Sequence, residues 1–187
     1  MAKIKIALPL YLNGQIGGNN MFSIGEYVVY GNDGICQLVD VRKEKFPGNE
    51  DKMYYILKPA YSNNSMVYVP IENENLTKKM RRILTPEEIN DLVKSIPDEK
   101  NIWIDDDRLR NDRYNSILKK GDRHELVMVI KTLYKHKIKQ KKSGKKFHIA
   151  DEKIMAAAEK MLHEEFALVL KIKPEEVVQY IISQVWD

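Results

Sequence analysis

Near Leu84 the spacing of apolar residues changes from the two-residue period of strands to the 3.6-residue period of helices, so the chain cannot be a single layer of either kind. Before that point, short β-rich runs alternate with turn signals. Tyr27-Val28-Val29-Tyr30 ends on Gly31-Asn32-Asp33-Gly34, and Ile35 to Lys45 alternates with one slip that reads as a bulge. Pro47-Gly48-Asn49 turns into Met53-Tyr54-Tyr55-Ile56-Leu57, and Ser62-Asn63-Asn64-Ser65 turns into Met66-Val67-Tyr68-Val69-Pro70. Four short strands at this spacing predict a small curled sheet or β-barrel. About 50 residues supply a thin core, so this unit is expected to lean on a neighbour.

After Leu84, Thr85-Pro86-Glu87-Glu88 is a capping box with proline at the first helical position, and Ile89, Leu92, Val93 and Ile96 follow before Pro97. A second helix is expected from about Asp105 to Lys120, stopped by Gly121. A third starts at Asp122, with Leu126, Val127, Ile130, Leu133 and Tyr134 on one face, and breaks at Ser143-Gly144. A fourth runs from about Asp151 to Leu170 on a stripe of Ile154, Met155, Ala158, Met161, Leu162 and Phe166. A fifth begins near Pro174 with Val177, Val178, Ile181, Ile182 and Val185 as its apolar face. The fold class is therefore α+β: a β-rich unit over residues 21–75, then an all-helical bundle over 76–187.

Residues 1–20 read differently. Lys3-Ile4-Lys5-Ile6 alternates like a strand, Pro9 interrupts it, and Gly14, Gly17, Gly18, Asn19 and Asn20 form a linker. The apolar part is too short for a signal peptide. The preferred reading is an extension, appended or arising from an upstream start codon, and the rival is an additional edge strand. No apolar run in the chain approaches the ~18 residues that span a bilayer. A single cysteine, Cys36, excludes an internal disulfide and a four-cysteine zinc site, and suits a cytoplasmic protein.

The net charge of +4 is unevenly placed. Residues 21–84 carry 9 Lys+Arg and 8 Asp+Glu, whereas residues 105–146 carry 14 against 6. From Lys131 to Lys146 there are eight lysines and no acid. Such a field attracts polyanions, and DNA phosphate is the commonest cytoplasmic candidate. Lysines 135, 139, 141, 142, 145 and 146 are the expected contacts, with Arg108, Arg110, Arg113 and Tyr114 adding planar groups suited to phosphates and groove edges. A solvated face that binds nothing is the competing reading of any lysine-rich helix.

Signatures of catalysis are missing from the sequence. No glycine-rich phosphate loop precedes a βαβ unit, and His124, His136, His148 and His163 lie far apart, without metal-ligand spacing. Cys36 sits in a strand pattern and reads as core. Asp105-Asp106-Asp107 reads as the acidic first turn of a helix rather than a cation site. The chain is expected to have no catalytic residues, no metal, no cofactor and no small-molecule substrate.

Taken in order, Met21-Phe22-Ser23-Ile24-Gly25-Glu26-Tyr27-Val28-Val29-Tyr30, Gly34, Tyr55-Ile56-Leu57-Lys58 and Val67-Tyr68-Val69-Pro70 closely resemble the N-terminal domain of the CarD/CdnL family. This Tudor-like module is shared with transcription-repair coupling factors. Arg113-Tyr114, Leu118, Lys120-Gly121-Asp122, Glu152-Lys153, Met161-Leu162 and Glu165-Phe166-Ala167 resemble the family's helical domain. The resemblance runs from Met21 to about Leu170. It implies a bacterial transcription regulator whose β-domain binds the RNA polymerase β subunit through the strand Met66, Val67, Tyr68, Val69 and Pro70. It also implies that the helical domain meets promoter DNA at the upstream edge of the bubble, largely independent of sequence, and stabilises the open complex. A fragment of a coupling-factor helicase is excluded by the missing phosphate loop. The reading from another class is a protein-interaction module whose basic helices bind an acidic partner.

Two positions depart from the family pattern. Relatives place a tryptophan four residues before the tyrosine matching Tyr114, where it wedges into the minor groove; this chain has Arg110 there, and Trp103 lies eleven residues before Tyr114. Trp103 either supplies the wedge from a nearby turn or packs between the domains, the commoner fate of a large aromatic at a junction. Arg110 is expected on a charged helix face, contributing little to the fold. On the fourth strand, Tyr68 stands where relatives often carry an arginine.

Overall fold

The computed structural model describes residues 22–47, 50–62 and 66–186. The expected extension at 1–20, Met21 and the centres of the turns at 48–49 and 63–65 lie outside the described residues. Five antiparallel strands, β1 (Tyr27–Tyr30), β2 (Gly34–Glu44), β3 (Lys52–Pro59), β4 (Val67–Pro70) and β5 (Met80–Arg82), form one sheet in the order β4-β3-β2-β1-β5. The bulge expected in the long strand is at Val39, where the register of β2 against β3 shifts between Leu38 and Asp40. An extra residue there bends β2 and increases the sheet's twist.

The sequence pattern indicated four strands, and the fifth is a correction. Met80-Arg81-Arg82 carries no β-rich alternation; it becomes a strand because it follows a short helix, α1 (Glu74–Thr77), that returns the chain along β1. The sheet thus continues to Arg82, past residue 75.

One face of the sheet buries Val28, Tyr30, Cys36, Leu38, Leu57, Val69 and Met80. Val29 and Ile35, paired across β1 and β2, are buried too, and they line a narrow cavity with Leu126 and Met161 of the helical half. The β-unit therefore does lean on its neighbour.

The helices are α2 (Pro86–Ser95), α3 (Asp107–Lys120), α4 (Arg123–Lys142), α5 (Ile149–Leu170) and α6 (Val177–Trp186). Thr85 and Glu88 close the capping box reciprocally, Asp106 and Asp122 cap α3 and α4, and Gly121 ends α3 at φ +64°. Their core joins Ile89, Val93, Tyr114, Ile117, Leu126, Val129, Leu133, Ala158, Phe166 and Val177. Three residues expected in apolar stripes are instead exposed: Tyr134, Val178 and Ile182. Tyr134 follows Leu133 by about 100° around α4, which carries it off the buried face. α6 packs on α2 and α5 through Val177, Tyr180 and Ile181; the side chain of Val185 lies outside the described residues.

Cys36 is fully buried, and burial, aided by the nearby Asp33 charge, pushes its thiol up to about 11. In the native protein at pH 8 a thiol reagent should therefore react about 100-fold more slowly than in the unfolded chain. Labelling at equal rates in water and in denaturant would refute this burial.

Candidate functional site

The cationic segment folds as the C-terminal half of α4 and the turn after it. Lys135, Lys139, Lys141, Lys142, Lys145 and Lys146 are all exposed, and so is Arg108 at the start of α3. Among the described residues, the one ion pair made by lysines 135–146 joins Lys137 to Glu152 at 3.4 Å. Their charge sits at the carbonyl end of α4, where the helix dipole favours cations. Lys131 is different: its ammonium donates to the carbonyls of Ile96, Pro97 and Glu99 at 2.8, 2.5 and 2.7 Å, and so ties α4 to the turn after α2.

Three planar residues expected at the DNA surface have other duties. Arg110 is 2% exposed. Its Nε and Nη2 donate to the two oxygens of buried Asp151 at 3.0 and 2.9 Å, Nη2 also to Asp107 at 2.7 Å, and Nη1 to the Ile104 carbonyl at 2.7 Å. The expectation of an exposed, dispensable arginine is corrected: the partner that draws it inward is 41 residues away on α5. Tyr114 is fully buried, its hydroxyl donates to the Ile102 carbonyl at 3.0 Å, and burial pushes its pKa up to about 12. It cannot reach DNA without unpacking. Arg113 remains on the surface but pairs with Glu125 at 3.0 Å.

Trp103 packs on the helical core, not between the domains. Its ring stacks on His136 at 3.6 Å between centroids, the Arg110 guanidinium lies 4.2 Å from its centre, and the indole N–H donates to Asp105 at 2.8 Å. Burial lowers the His136 pKa, so the imidazole meets the indole as a neutral ring at pH 7. The segment from Asn101 to Asp105 is stitched down further by the Ile102 N–H, which donates to Thr132 Oγ1 at 3.0 Å. Between this segment and α4 runs an open groove of about 300 Å³, lined by Asn101, Trp103, Asp105, Lys135, His136 and Lys139. Trp103 therefore lies beside the lysines at a half-buried position, and its ring is committed to packing.

Among the described residues, β4 is an edge strand that pairs with β3 alone, so its other backbone edge meets no strand there. Its side chains divide by the two-residue period. Met66 and Tyr68 face outward and are partly exposed, while Val69 is fully buried in the sheet core; Val67 and Pro70 are half-buried. Tyr68 packs edge-to-face on Phe46 and Tyr54 at 5.3 and 6.3 Å. Phe46 escaped the sequence reading, although a lone aromatic before a Pro-Gly turn was a usable signal. Asp151 escaped as well, because an acid in a helix's first turn carries no mark of a distant partner.

Residues 22–84 match the CarD-like/TRCF RID domain, and residues 92–182 match the CarD C-terminal domain. The chain belongs to the CarD-like family. No match is found among curated proteins. CarD-like proteins are non-enzymatic transcription factors that interact with RNA polymerase, and the two family domains occur here in order. Among the described residues of this CarD-like chain no helix is long and apolar enough to cross a membrane, and no group of three or more His, Cys, Asp or Glu could hold a metal ion.

Arg110→Ala would leave the buried Asp151 carboxylate without its partner, and should cost about 3–5 kcal/mol of stability. Trp103→Ala, at a half-buried position, should cost about 2–3 kcal/mol. Chemical denaturation of both variants checks this; an Arg110→Ala midpoint equal to wild type would refute the buried pair.

Proposed function

We propose that this CarD-like protein binds the RNA polymerase β subunit through the free edge of β4 and holds promoter DNA against the lysine face of α4, stabilising the open complex. The observation that carries the DNA half is the row of six exposed lysines, 135, 139, 141, 142, 145 and 146, with no carboxylate partner among the described residues. Unpaired ammonium groups release phosphate counterions on contact and read no base edges, so binding is largely independent of sequence. The DNA contacts are these lysines and Arg108, with Arg113 available once it exchanges Glu125 for phosphate. Trp103 takes part only through what its half-buried ring leaves accessible, and Arg110 and Tyr114 act by holding the segment that carries it.

The polymerase half rests on the edge strand. An open β-edge pairs with a partner strand through its backbone, and alternate side chains set specificity. Met66 and Tyr68 are the outward pair, Val67 and Pro70 flank them, and Val69 supports the strand from the core. A tyrosine on an aromatic cluster offers a flat, rigid contact in place of the salt bridge an arginine would make. The protein works in the cytoplasm, on the bacterial nucleoid.

A second reading is favoured by one observation: Tyr134 and Ile138, 57% and 39% exposed, lie on α4 among the lysines. Apolar groups ringed by cations suit an acidic protein better than a phosphate backbone.

With about 4–6 phosphate contacts, the log–log salt slope of DNA binding should be about −4 to −5. Charge reversal of Lys135, Lys139 and Lys142 together should weaken binding more than about tenfold at every sequence alike. A slope near zero would defeat the DNA reading. Loss of partner binding on Tyr134→Ala with Ile138→Ala, at unchanged charge, would favour the acidic protein.

Tyr68→Ala should abolish co-purification with the β subunit while DNA affinity stays at wild type. Val69→Asp is a test of folding only, since it places a carboxylate in the sheet core. Wild-type polymerase affinity in Tyr68→Ala would move the docking surface elsewhere.

A further inference from the structure

Two stretches that carry the family resemblance, Lys120-Gly121-Asp122 and Glu165-Phe166-Ala167, belong to neither docking surface. They meet at the joint between the sheet and the helices. The chain that leaves β5 for α2 is gripped there at Arg81, Arg82 and Leu84. Arg81 Nη1 donates to the Gly121 carbonyl at 2.6 Å. The Arg82 carbonyl accepts from Arg123 Nη2 at 2.9 Å, and the Leu84 N–H donates to Glu165 Oε1 at 2.9 Å. Arg82 also pairs with Glu88, inside the capping box of α2.

Glu165 organises this grip. It is 3% exposed, and its carboxylate receives Arg123 bidentately, Nε at 3.1 Å and Nη2 at 2.7 Å, as well as the linker N–H. Bidentate pairing fixes the guanidinium plane, so Arg123 is aimed at the Arg82 carbonyl by the same carboxylate that holds Leu84. Gly121 makes the room. A Cβ there would stand 2.6 Å from Arg81 Nη2, on a residue whose φ of +64° already excludes most side chains. Behind the charges, Val29 and Ile35 pack toward Leu126 and Met161, leaving a cavity of about 10 Å³.

We infer that Glu165 is a positioning residue for two-site binding: it locks the β5–α2 connection so that the β4 edge and the α4 lysines keep one mutual orientation, and each site raises the affinity of the other. The coupling rests on the two-surface reading above; the lock itself does not. A rigid joint presents the second surface at a fixed effective concentration, and a loose one loses that advantage to orientational freedom.

The full chain, labelled with a dye pair at Lys58→Cys and Lys153→Cys, both exposed and in different domains, reports the orientation directly; buried Cys36 stays unlabelled. Glu165→Gln should broaden the single-molecule distance distribution. Its separate affinities for DNA and for the β subunit should stay within about twofold, while its affinity for the polymerase–promoter complex should fall at least about fivefold. If Glu165→Gln does not fold, Arg81→Ala, which removes the Gly121 contact and leaves the Glu165–Arg123 pair and the Leu84 bond in place, should give the same pattern. A distribution as narrow as wild type, even with a lowered melting temperature, would overturn the lock. A broadened distribution with an unchanged affinity for the complex would overturn the coupling. A wild-type chain that bound neither DNA nor the β subunit alone would remove the two-surface reading and the coupling with it, while the distance distribution would still decide the lock.

Discussion

Buried carboxylates must be neutralised, and α5 carries two of them, Asp151 near its start and Glu165 near its end. Each receives an arginine from an earlier helix, Arg110 from α3 and Arg123 from the start of α4. Either charge without its partner would cost several kcal/mol, so the two pairs admit only one packing of α3 and α4 against α5. The apolar core could tolerate small slips along the helices, but the bidentate pairs cannot. From Asp151 the constraint passes through Arg110 to Trp103 and the segment that edges the groove; from Glu165 it passes through Arg123 to the linker and the sheet.

The division of labour between the two cationic residue types follows from their chemistry. Guanidinium groups are planar, weakly hydrated and rich in donors, which suits buried pairing; ammonium groups are strongly hydrated and stay in water. Accordingly Arg110, Arg123 and Arg81 are drawn into the structure, and Lys135, Lys139, Lys141 and Lys142 are left outside. Lys131 is the exception among the lysines, because three carbonyls at one turn replace its water shell. The cationic surface is thus smaller than the cationic sequence, and its field comes from lysines alone over most of α4.

Under the function proposed above, this arrangement separates two kinds of recognition. An open strand edge with an aromatic cluster offers directional, shape-dependent contact. A row of hydrated ammonium groups offers long-range, salt-sensitive attraction. Neither proposed surface needs a cavity, and the groove beside Trp103 is open.

Much of this was legible in the sequence, because it depends on local physics. The capping box at Thr85, the stop at Gly121, the breaks at Ser143-Gly144 and the change of period near Leu84 each depend on a few adjacent residues, and each appears where the pattern placed it. The bulge in β2 and the lysine run were local signals too. What only the tertiary structure decided is pairing at a distance: β5 beside β1, Tyr134 outside the core, Val69 inside it, and Arg110 and the partly buried Arg123 paired with buried carboxylates 41 and 42 residues away. An arginine on a helix reads as a surface charge until the opposite carboxylate is known. That partner is set by how helices pack, and no local periodicity encodes it.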